Sequence, residues 1–213
     1  MNLNADRIFY DMGHQGMIFL IANIVVMVCT MVILLSILFD FVSYHRPKLS
    51  KKSTFSLVDT GSMFFYFFIY SILLQAKQGR ISIESGITFK LLILAGTVLV
   101  IAGCYVNIAG RIALRHNWAN QVTIYQDQTL VTRNVYRIVR HPLYASLIWM
   151  FSGGCLIYTN FIALMSVVFL FIPMMYYRAK QEEKLLVSEL AGYSEYLKRT
   201  GMFFPKFNIH DKL

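Results

Sequence analysis

Charge is scarce in this chain. Only 15% of its 213 residues are Asp, Glu, Lys or Arg, against 57% hydrophobic, a balance that excludes an ordinary soluble domain of this length. The apolar residues gather in four long stretches, roughly 17–39, 57–74, 89–113 and 143–177, and the last is long enough for two passes with a turn at Tyr158-Thr159-Asn160. The expected fold is all-α: a polytopic membrane protein with about five transmembrane helices, the last two forming a short helical hairpin, followed by a C-terminal cytosolic amphipathic helix. Residues 1–113 supply the three N-terminal helices. Residues 114–213 supply a loop, the hairpin and the C-terminal helix, integrated with them into one domain.

Other absences narrow the function. Cys29, Cys104 and Cys155 all fall inside apolar stretches, with no CxxC spacing and no nearby His or acidic ligand set, so they read as small packing residues and no metal is expected. The first apolar run is preceded by Asp6, Arg7 and Asp11 rather than a basic cluster and is too long for a signal-peptide core, so it is expected to stay as a helix. The net charge of +9 lacks the interleaved surface aromatics of a nucleic-acid platform. It reports topology instead: Arg46, Lys48, Lys51 and Lys52, then Arg111, Arg115, Arg133, Arg137 and Arg140, then the basic tail share the cytosolic face by the positive-inside rule. The membrane is the cell inner membrane if the source is prokaryotic and the endoplasmic reticulum if it is eukaryotic. The midplane is almost free of ionisable groups, unlike that of a transporter, and Asp40 and Asp59 read as interface residues at helix ends.

Ala95-Gly96, Ala102-Gly103 and Ala109-Gly110 recur every seven residues, a stripe that lets a neighbouring backbone approach closely in lipid. Residues 116–136 are polar and β-branched, the mark of an ordered loop. Each half of the fourth apolar stretch is short for a bilayer, and Pro173 removes a backbone hydrogen bond to Phe169, which predicts a kink just before Arg178. Residues 182–198 read as one amphipathic helix lying on the membrane face.

Two polar clusters stand at membrane-helix ends. Arg137, Arg140 and His141 precede Pro142-Leu143-Tyr144, with proline in its favoured first-turn position. Arg178 is followed by Glu182 and Glu183. Taken alone, the first is a juxtamembrane anchor and the second a snorkelling arginine with an i,i+4 salt bridge. Taken together, a carboxylate pair facing an Arg-His pair offers complementary handles to a zwitterionic ligand.

The ordered set Gln121, Thr129-Leu130-Val131, Tyr136, Arg140-His141-Pro142-Leu143-Tyr144, Arg178, Glu182-Glu183, Tyr193-Ser194-Glu195-Tyr196 and Phe204-Pro205 resembles the isoprenylcysteine carboxyl methyltransferase family and its prokaryotic relatives, over about residues 117–206. Its Arg-His-Pro-x-Tyr element is also similar to one in phospholipid N-methyltransferases. The resemblance implies S-adenosylmethionine (SAM) as cofactor, with S-adenosylhomocysteine as product, and a lipophilic or prenylated acceptor in the membrane lipid. It places Gln121, Gln128, Thr129, Leu130, Val131, Tyr136, His141, Pro142, Leu143 and Tyr144 around SAM, with Glu182 holding it and Arg178 holding the acceptor carboxylate. Asn134 stands where relatives usually place glycine, and Gln128 where histidine is common; Asn tolerates the left-handed backbone that such a turn needs.

Methyl transfer to a carboxylate needs orientation and charge placement more than a base, because the acceptor is already ionised at neutral pH. A phospholipid amine would need to lose a proton first, and His116, His141 and Glu183 are the available bases. A small thiol is the other acceptor within the same reaction class. A membrane scaffold or transporter is the reading from outside it.

Overall fold

A computed structural model of the chain describes residues 3–44, 50–53, 60–76, 79–83, 85–117, 123–125 and 128–206. Among these residues run α1 (Leu3–Tyr44), β1 (Ser50–Ser53), α2 (Thr60–Gln75), α3 (Gly86–Leu114), β2 (Thr123–Tyr125), α4 (Pro142–Ile157), α5 (Phe161–Ser166), α6 (Ile172–Glu189) and α7 (Tyr193–Arg199). The expected all-helical architecture stands, with the addition of one short antiparallel ribbon in which β1 pairs with β2.

Three segments, Gly16–Ser43, Gly86–Leu114 and Phe161–Glu189, are long and apolar enough to cross a membrane, while Gly61–Gln75 and Pro142–Ile157 are apolar but shorter. Leu35, Phe39, Phe65, Leu94 and Phe169 are each more than half exposed, as residues are when lipid rather than water solvates the outer surface. This is an integral membrane protein. At 1.5 Å per residue, the 16 residues of α4 give about 24 Å of helix, short of a ~30 Å hydrocarbon core as expected. The second half of the fourth apolar stretch is not short, because α5 continues through a π turn at Val167–Phe171 into α6. Where the sequence predicts a kink at Pro173, the helix carries that π turn: directly upstream of the proline, the Ile172 N–H reaches back five residues to the Val167 carbonyl. Widening the turn is how an apolar helix accommodates a residue that cannot donate.

The connections fall on two faces. The α1–α2 connection supplies β1 and the α3–α4 connection supplies β2, and the C-terminal tail joins them through a bridge between Val139 and Gly201. On the other face, Arg80 and Asn160 form a bridge that ties the α2–α3 connection to the turn after α4. The first face gathers the basic segments that the sequence assigns to the cytosol. Asp59 and Gln121 lie outside the described residues.

The glycine stripe is a packing surface. A methyl group built on Gly96 would stand 2.5 Å from the Gly153 carbonyl oxygen of α4, and one on Gly103 would stand 2.7 Å from the Ser146 carbonyl oxygen. The two backbones meet with almost nothing between them, which in lipid supplies the dispersion contacts that hydrophobic exclusion cannot. The aromatic run in α2 divides: Phe64, Phe65 and Phe68 face outward, while Tyr66 stacks on Phe171 at 4.6 Å and the Tyr70 hydroxyl donates to the Phe151 carbonyl at 2.6 Å. The expected single helix over 182–198 is two. α6 ends at Glu189, Gly192 takes a left-handed φ of 82°, and α7 starts at Tyr193. Glycine adopts that conformation without a Cβ penalty, and the chain turns there.

Candidate functional site

Pro142 opens α4 and leaves His141 as its N-cap residue, with Tyr144 in the first helical turn. Arg178 and Glu182, four residues apart on α6, project from one face toward that turn. Between them sits the Tyr144 hydroxyl, which accepts from Arg178 Nε at 2.8 Å and donates to Glu182 Oε1. The direct Arg178–Glu182 pair is longer, at 3.5 Å, so the salt bridge read from the spacing is present but is bridged by a residue from another helix. The Arg178 guanidinium also lies 5.9 Å from the centre of the Tyr144 ring, where a cation is attracted to the π face. Arg178 is buried, with 4% of its surface accessible.

The neighbouring carboxylate belongs to the opposite cluster. Glu183 Oε1 accepts from Arg140 Nε at 2.8 Å and lies 3.3 Å from His141 Nε2, while His141 Nδ1 lies 3.5 Å from Glu182 Oε2. The His141 ring therefore stands between two carboxylates, stacked on Tyr144 at 5.5 Å and edge-on to Phe203. Arg140 further donates to the carbonyls of Leu197 and Thr200, and the backbone N–H groups of Arg140 and His141 donate to Gly201 and Met202. The tail is strapped to the site by the residues that carry it.

Burial alone would push the His141 pKa down, but hydrogen bonds and charge from Glu182 and Glu183 outweigh it and hold the ring above its ordinary value. Because the folded pKa is raised, its stabilisation is full below the unfolded value of about 6.5 and is lost as pH rises through the folded value. The melting temperature in detergent should therefore fall as pH rises above about 6.5, and His141→Gln should flatten that part of the profile. An unchanged slope in the variant would remove His141 as its source. Burial pushes the Tyr136, Tyr193 and Tyr196 phenols up, so all three stay neutral.

The loop before His141 is ordered by side chains. Asn134 has a φ of 58°, the left-handed conformation that glycine would otherwise supply. Tyr136 is buried just beyond it, and its carbonyl accepts from the Tyr196 hydroxyl of α7. Asn117 accepts from the Thr129 N–H at 3.1 Å and donates to the Thr129 hydroxyl at 3.2 Å. Ile124 of β2 packs against Leu185, Leu186 and Leu190.

These elements enclose a cavity of about 450 Å³, within the ~300–1,000 Å³ usual for small-molecule sites. Gln128, Thr129, Leu130, Val131, Tyr136, His141, Leu143, Tyr144, Arg178 and Glu182 all line it. Pro142 is buried behind the wall and Gln121 lies outside the described residues. One end is polar, lined by Arg178, Tyr144, Glu182, Arg140 and His141, with Glu183 paired to the last two from behind the lining; the other runs between Ile33, Leu34, Met63 and Phe67 of α1 and α2.

Asp40, read from the sequence as an interface residue at a helix end, is buried and paired there rather than solvated. It is 5% exposed and ion-paired with Arg111 Nη1, and Arg111 Nε donates to Asn107 Oδ1 at 2.9 Å. Asn107 in turn donates to the Ser146 hydroxyl at 2.8 Å. An ionisable residue four positions after an asparagine, inside an apolar run, was the available signal, since such residues face a partner or a cavity. Among the described residues no group of three or more His, Cys, Asp or Glu could hold a metal ion.

Residues 93–188 match the model of the isoprenylcysteine carboxyl methyltransferase family. The resemblance seen in the motifs is thus shown over a stretch that begins earlier, in α3, and ends earlier, at the end of α6. An 87-residue segment is 32% identical to the cobalt-zinc-cadmium resistance protein CzcN of Cupriavidus metallidurans, covering 40% of this chain and 39% of that protein. A 121-residue segment is 31% identical to the protein-S-isoprenylcysteine O-methyltransferase of Saccharomyces cerevisiae, covering 54% of this chain and 50% of that protein. The matches therefore span half or less of the length of these relatives.

Proposed function

We propose that this integral membrane protein is a SAM-dependent methyltransferase that methylates the carboxylate of a lipophilic acceptor, an isoprenylcysteine-like amphiphile, at the cytosolic face. The family match supports the reaction class. The observation that carries the acceptor is the charge of the polar cavity end. Three basic groups (Arg140, His141, Arg178) stand against two carboxylates (Glu182, Glu183), with Lys180 a further 3.8 Å neighbour of Glu183, so basic groups outnumber acidic ones and an incoming carboxylate suits the cluster better than an incoming ammonium.

The residues at that end fit SAM. Glu182 offers a carboxylate with about four acceptor positions; Tyr144 and Arg178 approach Oε1 and His141 approaches Oε2, which leaves room for a donor from the cofactor. Tyr136 and Tyr144 present ring faces of the kind that attract a cation, and Gln128 to Val131 close the side toward the loop. When bound, SAM supplies a methyl group on a positively charged sulfur, open to in-line displacement.

The chain's own residues then have to position and desolvate. Arg178, anchored by Tyr144 at 2.8 Å, holds the acceptor carboxylate through the planar fork that makes bidentate pairing possible. Bound SAM would supply the methyl to the acceptor oxygen with the electron pair of the broken bond leaving on sulfur, so these residues would have charge and position to provide and no proton to move. That suits a site whose phenols are neutral and whose imidazole is biased toward its charged form by Glu182 and Glu183.

Calorimetry on the purified protein tests the reading directly. SAM binding should be measurable, and Glu182→Gln should weaken it by about tenfold, the effect of one charge-assisted hydrogen bond. Incubation of membranes with methyl-labelled SAM should then give a base-labile ester. A labelled amine or thioether would move the acceptor to a phospholipid or a thiol, and absence of both SAM and S-adenosylhomocysteine binding would remove the enzyme reading.

A further inference from the structure

Two large apolar side chains stand exposed outside the segments that cross the membrane. Ile138, just ahead of α4, is 55% accessible, and Phe204 in the tail is 67% accessible. Each sits beside a buried neighbour: Val139 and Phe203 turn inward, Phe203 lying edge-on to the His141 ring, and Ile138 and Phe204 are left outside. The two are brought together by the tail. Val139 bridges Gly201, and the chain then bends back so that the Phe204 carbonyl abuts the Gly201 backbone. Their depth follows from the helices. α4 starts at Pro142 and is apolar throughout, so residues 138–141 stand where the chain leaves hydrocarbon for headgroups. α6 reaches the same level at Arg178, which meets Tyr144 in the first turn of α4. Tyr176 and Tyr177 are exposed there, where tyrosines concentrate at a bilayer interface.

The charge around the patch has one sign. Arg133, Arg137, Lys180, Lys184, Arg199 and Lys206 are exposed, and Glu195 is the one exposed carboxylate among the described residues after Asn117. Glu195 is itself paired with Lys198 at 3.0 Å. Arg137 directly precedes Ile138, and Lys206 follows Phe204 by two residues. Apolar side chains flanked by cations at headgroup depth fit a bilayer surface, with the rings and branched chains in the acyl boundary and the cations among anionic headgroups. A soluble acidic protein would meet the same cations but would have to displace lipid from Ile138 and Phe204 to do so.

We propose that this strap, residues 137–139 with 201–206, is a binding surface for anionic phospholipid of the cytosolic leaflet, and that lipid bound there steadies the cofactor end of the cavity. The coupling runs through hydrogen bonds. The backbone N–H groups of Arg140 and His141 donate to Gly201 and Met202, and the Arg140 guanidinium donates to the carbonyls of Leu197 and Thr200. A lipid that favours the docked strap therefore favours the arrangement in which His141 stands between Glu182 and Glu183. The lipid surface is independent of the proposed methyl transfer, whereas its effect on SAM rests on that reading.

The test uses the full chain in lipid nanodiscs and reads surface and coupling separately. Phe204→Trp places a fluorophore on the patch, and its emission, corrected for that of the wild type with Trp118 and Trp149, should be quenched by lipids brominated on their acyl chains. Brominated phosphatidylglycerol diluted into phosphatidylcholine should quench at least about threefold more strongly than brominated phosphatidylcholine at the same fraction. Arg137→Gln should reduce that preference and Arg137→Lys should keep it. Absence of quenching, or equal quenching by the two lipids, overturns the lipid surface and leaves the patch to water or to a soluble partner. By calorimetry, SAM should bind about fivefold more tightly when phosphatidylglycerol is present than in phosphatidylcholine alone, and Arg137→Gln should shrink that difference. Equal SAM affinities in the two discs overturn the coupling. Failure to bind SAM in either disc overturns the methyltransferase reading instead, and the quenching result stands without it.

Discussion

Arg178→Lys lowers kcat/KM for the acceptor by about two orders of magnitude, or nearly 3 kcal/mol, with a much smaller change in SAM affinity. The size follows from geometry. Arg178 Nε is already committed to the Tyr144 hydroxyl and lies 3.5 Å from Glu182, and only a guanidinium has further donors, in a plane, to offer a carboxylate at the same time. A lysine has one nitrogen on a flexible stem and must choose. Because the residue is buried, a weakened partner set is not rescued by water. Tyr144→Phe should be milder, since it removes one hydroxyl and keeps the ring. Steady-state kinetics beside SAM calorimetry separates the two effects, and unchanged turnover in Arg178→Lys would sink the clamp.

Gly96→Val destabilises the fold by about 3 kcal/mol, a drop of roughly 6–12 °C in melting temperature for a chain of this size. A Cβ at Gly96 stands 2.5 Å from the Gly153 carbonyl and 2.8 Å from Ile157 Cγ1, and a Cβ at Gly153 stands 2.6 Å from the Gly96 carbonyl. Backbone on both sides leaves no side chain to rotate away, so the helices must part. Gly16→Val is the matched control: Gly16 has no atom within 4 Å of its built Cβ, and the same substitution there should leave the melting temperature nearly unchanged. Similar losses for the two variants would mean that α3 and α4 do not depend on this contact.

Much of the site was legible because its chemistry is concentrated in short motifs. Arg140-His141-Pro142-Leu143-Tyr144 and Arg178 with Glu182-Glu183 are local in sequence, and the proline fixes where the helix begins. Their convergence needed only that the first turn of α4 meet α6 at Arg178 and Glu182. The left-handed turn at Asn134 was legible for the same reason, as a single residue with a known backbone tolerance. The pairing of Asp40 was not legible because an aspartate at the end of an apolar run can be solvated or paired with a residue of another helix. Its partner Arg111 is 71 residues away, and no periodicity within either helix distinguishes the two. The break between α6 and α7 was hidden by amphipathic residues that continue across Gly192, where one left-handed residue overrides the pattern. The β1–β2 pairing was invisible for a simpler reason: its strands are four and three residues long and come from different connections.

The excess of basic groups at the polar end also bears on turnover. In the proposed reaction a carboxylate drawn in by that charge would leave it as a neutral ester, so the Coulomb attraction that favoured entry would be absent from the product complex. In a buried cluster, where such attraction is weakly screened, the loss of one negative charge is enough to favour release. The ester, more lipophilic than the acid, partitions back toward the apolar walls of α1 and α2. On the proposed carboxyl methylation, esterification would therefore favour return of the product to the bilayer.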